Sequence, residues 1–83
     1  MKLHLLYFAQ LRESLGLNQE VLECQVSTVQ NLIDLLAMRG DLWQRELFSA
    51  QPLKVAVDQQ MVPYSFELHS GAEVALFRPV TGG

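Results

Sequence analysis

The chain has little of what most reactive sites are built from. Cys24 is the one cysteine among 83 residues. No disulfide can close within the chain, and no Cys-x-x-Cys pair exists to seat an iron–sulfur cluster. The two histidines, His4 and His69, lack the spacing of a metal pair on one helix, so no metal site is expected. Six basic residues stand against nine acidic ones, for a net charge of −3. With no Lys/Arg run and no basic face, nucleic acid is not an expected partner. No apolar run is long enough to span a bilayer, so no membrane association is expected. The opening MKLHLLYFAQ lacks an h-region followed by a small-residue cleavage site, so it reads as folded chain and the expected compartment is the cytoplasm. No glycine-rich phosphate loop occurs. Ser14, Ser27, Ser49, Ser65 and Ser70 lack a histidine and acid arranged as a triad in local sequence, although sequence order alone never excludes one. The carboxylates, Glu20 and Glu46 among them, fall mostly at outward positions and read as solvated surface.

What is present is ample core material. Hydrophobic residues make up 49% of the chain and charged ones 18%, which fits one small globular domain. In KLHLLYFA, Leu3, Leu5 and Tyr7 share one parity while His4, Leu6 and Phe8 share the other. This predicts a strand apolar on both faces. Such a strand is either covered on both faces or covered once with a partner on the other, and because so short a chain rarely carries enough helix for both, the second arrangement stays open. Leu11 to Leu15 predict a helical turn ending at Gly16, and Gly16-Leu17-Asn18 favours a hairpin into a second strand, QEVLECQV. There Leu22, Cys24 and Val26 point one way, and Glu20 interrupts that set.

In STVQNLIDLLAMRG, Ser27 and Gln30 fit a capping box. Val29, Leu32, Ile33 and Leu36 fit one helical face, and Gly40 stands where a C′ glycine would end the helix. Asp41 reads as the cap of a shorter helix through Trp43, Leu47 and Phe48. PLKVAVDQQMVP reads as a strand, a turn at Asp58-Gln59-Gln60 and a brief return at Met61-Val62 stopped by Pro63. After a turn at Ser70-Gly71, Val74 and Leu76 of the last strand share one parity, and Glu73, Ala75 and Phe77 the other. The order β–β–α–(α)–β–(β)–β predicts an α+β fold of the β-grasp (ubiquitin-like) type. Its mixed sheet of about four to five strands wraps around one main helix, with the first and last strands parallel at its centre. The expected division is a β-grasp domain over 1–77 and a flexible C-terminal tail over 78–83.

Few residues are left to carry chemistry. Cys24 alternates with Leu22 and Val26 and reads as core, and His4 as a strand residue on a partly open face. The ending Arg78-Pro79-Val80-Thr81-Gly82-Gly83 remains. A terminal glycine pair contributes nothing to a core and has the most backbone entropy to lose. A terminal carboxylate is ionised at neutral pH and is a poor electrophile until activated, for example as an acyl-adenylate. Glycines at the tip would let such a tail pass into another protein's narrow site, and Pro79 would stiffen its base. The coherent function for RPVTGG is a substrate handle.

Four segments, in order and spanning nearly the whole chain, resemble one family. LLYFAQLRESLG is similar to its Phe-Ala-x-x-Arg-Glu segment, STVQNLIDLL to its Thr-Val-x-x-Leu helix start, and VAVDQQMV to its Val-Asn-x-x-x-Val turn. AEVALFRPVTGG is similar to its Asp-Glu-Val-Ala-Phe-x-Pro-Pro-Val-Thr/Ser-Gly-Gly ending. The family is the small, sulfur-carrier subunit of molybdopterin synthase. Arg78 stands where the family has the first of two prolines, Asp58 where asparagine is usual, and Ser70 and Ala72 where acidic residues are common.

The resemblance implies a mechanism. An activating enzyme of the ubiquitin-activating type adenylates the Gly83 carboxylate with ATP. A sulfur donor, such as a cysteine desulfurase or rhodanese-type protein, displaces AMP and leaves a Gly83 thiocarboxylate. The tail, Arg78 to Gly82, inserts into the large catalytic subunit of the synthase, as part of a heterotetramer, and gives sulfur to cyclic pyranopterin monophosphate. The acid–base residues then belong to the large subunit, and this chain binds no cofactor and is no enzyme on its own. Phe8, Phe77 and Met61 become the expected partner interface, unless Trp43 and Phe48 fold over them. The other readings are a sulfur carrier of thiamine biosynthesis, a ubiquitin-like modifier joined to lysine through Gly83, and an interaction domain with an inert terminus.

Overall fold

The computed structural model describes residues 1–49 and 51–79. Its elements are β1 (Lys2–Tyr7), α1 (Ala9–Leu15), β2 (Gln19–Glu23), α2 (Val29–Ala37), α3 (Asp41–Leu47), β3 (Lys54–Val57), β4 (Gln60–Met61) and β5 (Glu73–Phe77). The strands form one sheet in the order β2-β1-β5-β3-β4. The central pair β1 and β5 is parallel, with Leu5 opposite Val74 and Tyr7 opposite Leu76. The β1–β2, β3–β5 and β3–β4 pairs are antiparallel. This is the expected mixed β-grasp sheet.

Side-chain parity determines where the core lies. Leu3, Leu5 and Tyr7 of β1, Val74 and Leu76 of β5, and Val55 and Val57 of β3 are buried. They form one core cluster with Val29, Leu32, Ile33 and Leu36 of α2, Leu11 of α1 and Leu47 of α3. The other parity of the same strands faces away from the helices: Lys2, His4, Lys54 and Val21 are exposed and Leu6, Ala56 and Ala75 half-buried. Three short helices therefore cover one face of the sheet and leave the other open.

Several boundaries differ from the sequence expectation. The capping box of α2 is built one residue later than Ser27 and Gln30. Thr28 is the N-cap, its hydroxyl accepting from the Asn31 N–H (3.2 Å) while Asn31 Oδ1 accepts from the Thr28 N–H (3.2 Å). Asparagine can close the box as glutamine does, and Thr28, one step nearer the apolar run, lets Val29 enter the core. Gly40 does not terminate α2, which ends at Ala37 with Met38 as C-cap. Gly40 is instead the N-cap of α3, at φ 143° and ψ −178°, a conformation open mainly to glycine. Asp41 is consequently in the first turn of α3, not its cap. The helical turn expected before Gly16 is α1, two residues longer at its start, and it connects the antiparallel strands β1 and β2 in place of a tight hairpin turn. Gly16 caps α1 at φ 70° with its N–H on the Arg12 carbonyl.

Candidate functional site

The open face carries an apolar band. Register aligns Leu6 with Ala75, Ala75 with Ala56, and Ala56 with Met61, so one row crosses four strands. Met61 is 59% exposed and Phe8 46%. Phe8 follows the last residue of β1, and its N–H donates to the Leu76 carbonyl (3.2 Å), which holds it beside the end of β5. The chain then turns away at Ala9, at φ 51°. Phe8, Ala9, Phe77, Arg78 and Pro79 together line a shallow depression of about 370 Å³. The structure thus brings Phe8 and Phe77 together at the root of RPVTGG. Met61 lies at the far edge of the same face, on β4.

Trp43 and Phe48 do not cover this surface. Trp43 packs edge-on against Tyr7 within the helix layer, centroids 5.7 Å apart at 77°. The Arg39 guanidinium lies over its ring, 4.6 Å from the centroid. Phe48 is 52% exposed and borders a hollow between α2 and α3 with Ala37 and Gln44.

Arg78 is held by the body of the domain. Its guanidinium Nη2 donates to Glu46 Oε1 of α3, and both side chains are largely buried. Glu46 is therefore no solvated surface carboxylate. Nothing in its local pattern marks it, because its partner is 32 residues away. Pro79 is the last described residue. Val80, Thr81, Gly82 and Gly83, the rest of the expected handle, lie outside the described residues.

Glu20 also leaves the class of solvated carboxylates. Its Oε2 accepts from the Tyr7 hydroxyl (2.7 Å), and both its oxygens accept from Arg39 (2.8 and 2.7 Å). The Arg39 guanidinium holds the Glu20 carboxyl below its ordinary range. Burial, reinforced by Glu20, pushes the Tyr7 phenol up, so it stays a neutral donor. Glu20, opposite Leu5 in the register, interrupts the apolar set of β2 because the buried Tyr7 hydroxyl, two residues further along β1, needs an acceptor.

The remaining candidates are quiet. Cys24 is buried, and burial raises its thiol pKa, which disfavours the nucleophilic thiolate. His4 is exposed on the open face. His69 Nε2 meets Asp58 Oδ2 (2.9 Å), while Asp58 Oδ1 accepts from the Glu73 N–H (3.1 Å). Asp58 (φ 50°) and Gln59 (φ 71°) form the β3–β4 turn. The Asp58 contacts tie that turn to the start of β5. Among the described residues no group of three or more His, Cys, Asp or Glu side chains could hold a metal, and no helix is long and apolar enough to cross a membrane.

Known proteins match this chain over nearly its whole length. The sequence profile of the ThiS family matches residues 5–83. A Haemophilus influenzae protein named molybdopterin synthase sulfur carrier subunit is 38% identical over 81 residues, covering 98% of this chain and 99% of the relative. The crystal structure of SAMP1 from Haloferax volcanii superposes with a TM-score of 0.82 at 22% identity, covering all of both chains. A protein–protein complex of subunits 1 and 2 of molybdopterin-converting factor from Helicobacter pylori includes a chain with a TM-score of 0.67 at 15% identity, again covering all of both chains. At these identities the two structures establish the shared fold alone. The family profile spans the chain from Leu5 to Gly83, and the chain belongs to the ThiS family.

Proposed function

We propose that this chain is the sulfur-carrier subunit of a molybdopterin synthase. The Gly83 carboxylate attacks the α-phosphorus of ATP in an activating partner, releasing pyrophosphate and forming an acyl-adenylate. The terminal sulfur of a donor persulfide then displaces AMP from the acyl carbon, and a thiol cleaves the resulting acyl disulfide, leaving the Gly83 thiocarboxylate and a mixed disulfide. The thiocarboxylate sulfur attacks cyclic pyranopterin monophosphate on a large catalytic subunit, and water cleaves the acyl–sulfur bond, leaving sulfur on the substrate and restoring the Gly83 carboxylate. The observation that carries this reading is the 38% identity, over 98% of the chain, to a relative of that name. The geometry supports it. The carrier needs no nucleophile or general base of its own, and the only thiol among the described residues is buried. An apolar surface of exposed Phe8 and half-buried Phe77 lies at the root of the tail, on the sheet face that the helices leave open. Docking that surface on the large subunit would bury aromatic side chains, each contributing about 1.5–3 kcal/mol.

Appending a single residue after Gly83 tests the reading. The expected outcome is loss of sulfur loading with an unchanged melting temperature. Normal sulfur delivery from the extended chain would overturn the carrier role, and an isopeptide-linked lysine on a target protein would favour the modifier reading.

A further inference from the structure

The alternation of β5 continues past the last residue of its ladder. Val74 and Leu76 point to the helices, and Ala75 and Phe77 to the open face. Arg78 takes the helix-side parity and reaches α3, where its side chain is 12% exposed and that of its partner Glu46 is 14% exposed. Pro79 returns to the open side and lines the depression with Phe8 and Phe77. The segment after β5 is thus held by an ion pair through Arg78 and borders an apolar depression through Pro79, and Pro79 adds a fixed φ.

Three features mark the pair as more than a surface salt bridge. It is shielded from water, so screening is weak, and removing one partner would leave the other charge buried. It links positions 46 and 78, so it closes a long loop between α3 and the end of the sheet. It also lies immediately before the segment that must enter a partner. Yet the grip is incomplete. Among the described residues Arg78 Nε is buried with no hydrogen-bond partner, and the other Glu46 oxygen lies 3.8 Å from Arg45 Nε. The unsatisfied donor subtracts from the stability of the pair without releasing Nη2 from Glu46.

We infer that Arg78 and Glu46 form a latch that fixes the direction in which the chain leaves the sheet, with Arg78 a positioning residue for presenting the Gly83 carboxylate. This rests on the carrier reading for its purpose, though not for its structure. By holding the root before docking, the latch reduces the freedom lost when the tail enters an active site. Its loss raises the KM of the carrier as a substrate and leaves the chemistry at Gly83, and hence kcat, unchanged.

The test compares Glu46→Gln, Arg78→Ala and the charge-swapped double variant Glu46→Arg/Arg78→Glu with the parent chain. Two quantities are read: the steady-state {1H}-15N NOE of the residue 78 and Val80 amides in the free protein, and KM and kcat for ATP-dependent adenylation by the activating enzyme. Each single variant is expected to lower the NOE and to raise KM by about threefold to tenfold at constant kcat, and the swap to restore both. Unchanged NOE values in the single variants, a fall in kcat at constant KM, or a swap that restores neither quantity would overturn the latch. Should the parent chain itself not be adenylated, the carrier reading fails, and the NOE comparison alone decides the latch.

Discussion

Glu20 illustrates how a single residue can look misplaced and yet be required. It sits in the inward set of β2 because the Tyr7 hydroxyl and the Arg39 guanidinium both converge on it. Replacing it with glutamine keeps the shape but loses the charge-assisted pair, at a cost of about 1–3 kcal/mol at neutral pH. The carboxyl is held below its ordinary value of 4.5 by Arg39. A depressed carboxyl contributes stability that is fully present above its unfolded value and is lost as pH falls through the folded one. The gap in stability between parent and Glu20→Gln should therefore be widest at neutral pH and close in acid, as read by urea unfolding from pH 7 down to about pH 3. An unchanged gap across that range would show that Glu20 acts through packing alone. Sequence periodicity could flag Glu20 as an interruption, but neither of its partners was legible. Arg39 and Tyr7 come from distant elements, and only the folded register brings them within reach.

At the scale of elements, strands were the most legible feature. Alternation in KLHLLYFA and AEVALF identified which residues face the helices, and the parallel central pair follows from the β–β–α order. Helix ends were less legible. Ser27 and Thr28 are both good caps, and local sequence does not decide between them. The core does, by drawing in Val29. Gly40 had two uses available, as stop for α2 or start for α3, and its backbone conformation serves the second. Thr28→Ala should therefore lower stability by about 1 kcal/mol, and Ser27→Ala by much less. Chemical denaturation of the two variants checks this, and a larger loss at Ser27 would reassign the cap.

At the scale of the whole molecule, one sheet has two different surfaces. The helix-covered face holds the domain together, and the bare face, with Phe8, Phe77 and Met61, is available for a partner. Phe77→Ala should weaken binding to the large subunit by roughly 1.5–3 kcal/mol. It should cost the fold much less than Leu5→Ala, for which about 2–5 kcal/mol is expected. Calorimetric titration alongside thermal melts separates the two effects, and a loss of stability without a loss of affinity would assign Phe77 to the core. The open face was anticipated from the shortage of helix in so small a chain. The root of the tail was not: Arg78 reads in sequence as the first residue of a free handle, whereas in the structure it belongs to the domain through Glu46.

The central claim is chemical and concerns one carboxylate. Fragment mass spectrometry of the untagged chain from its own host, after supply of ATP and the activating enzyme, reads it directly. The account predicts that Gly83 carries sulfur in place of one oxygen, with the mass change confined to the C-terminal fragment and distinct from oxidation at Met1, Met38 or Met61. Finding only an ordinary Gly83 carboxylate under those conditions would contradict the carrier mechanism.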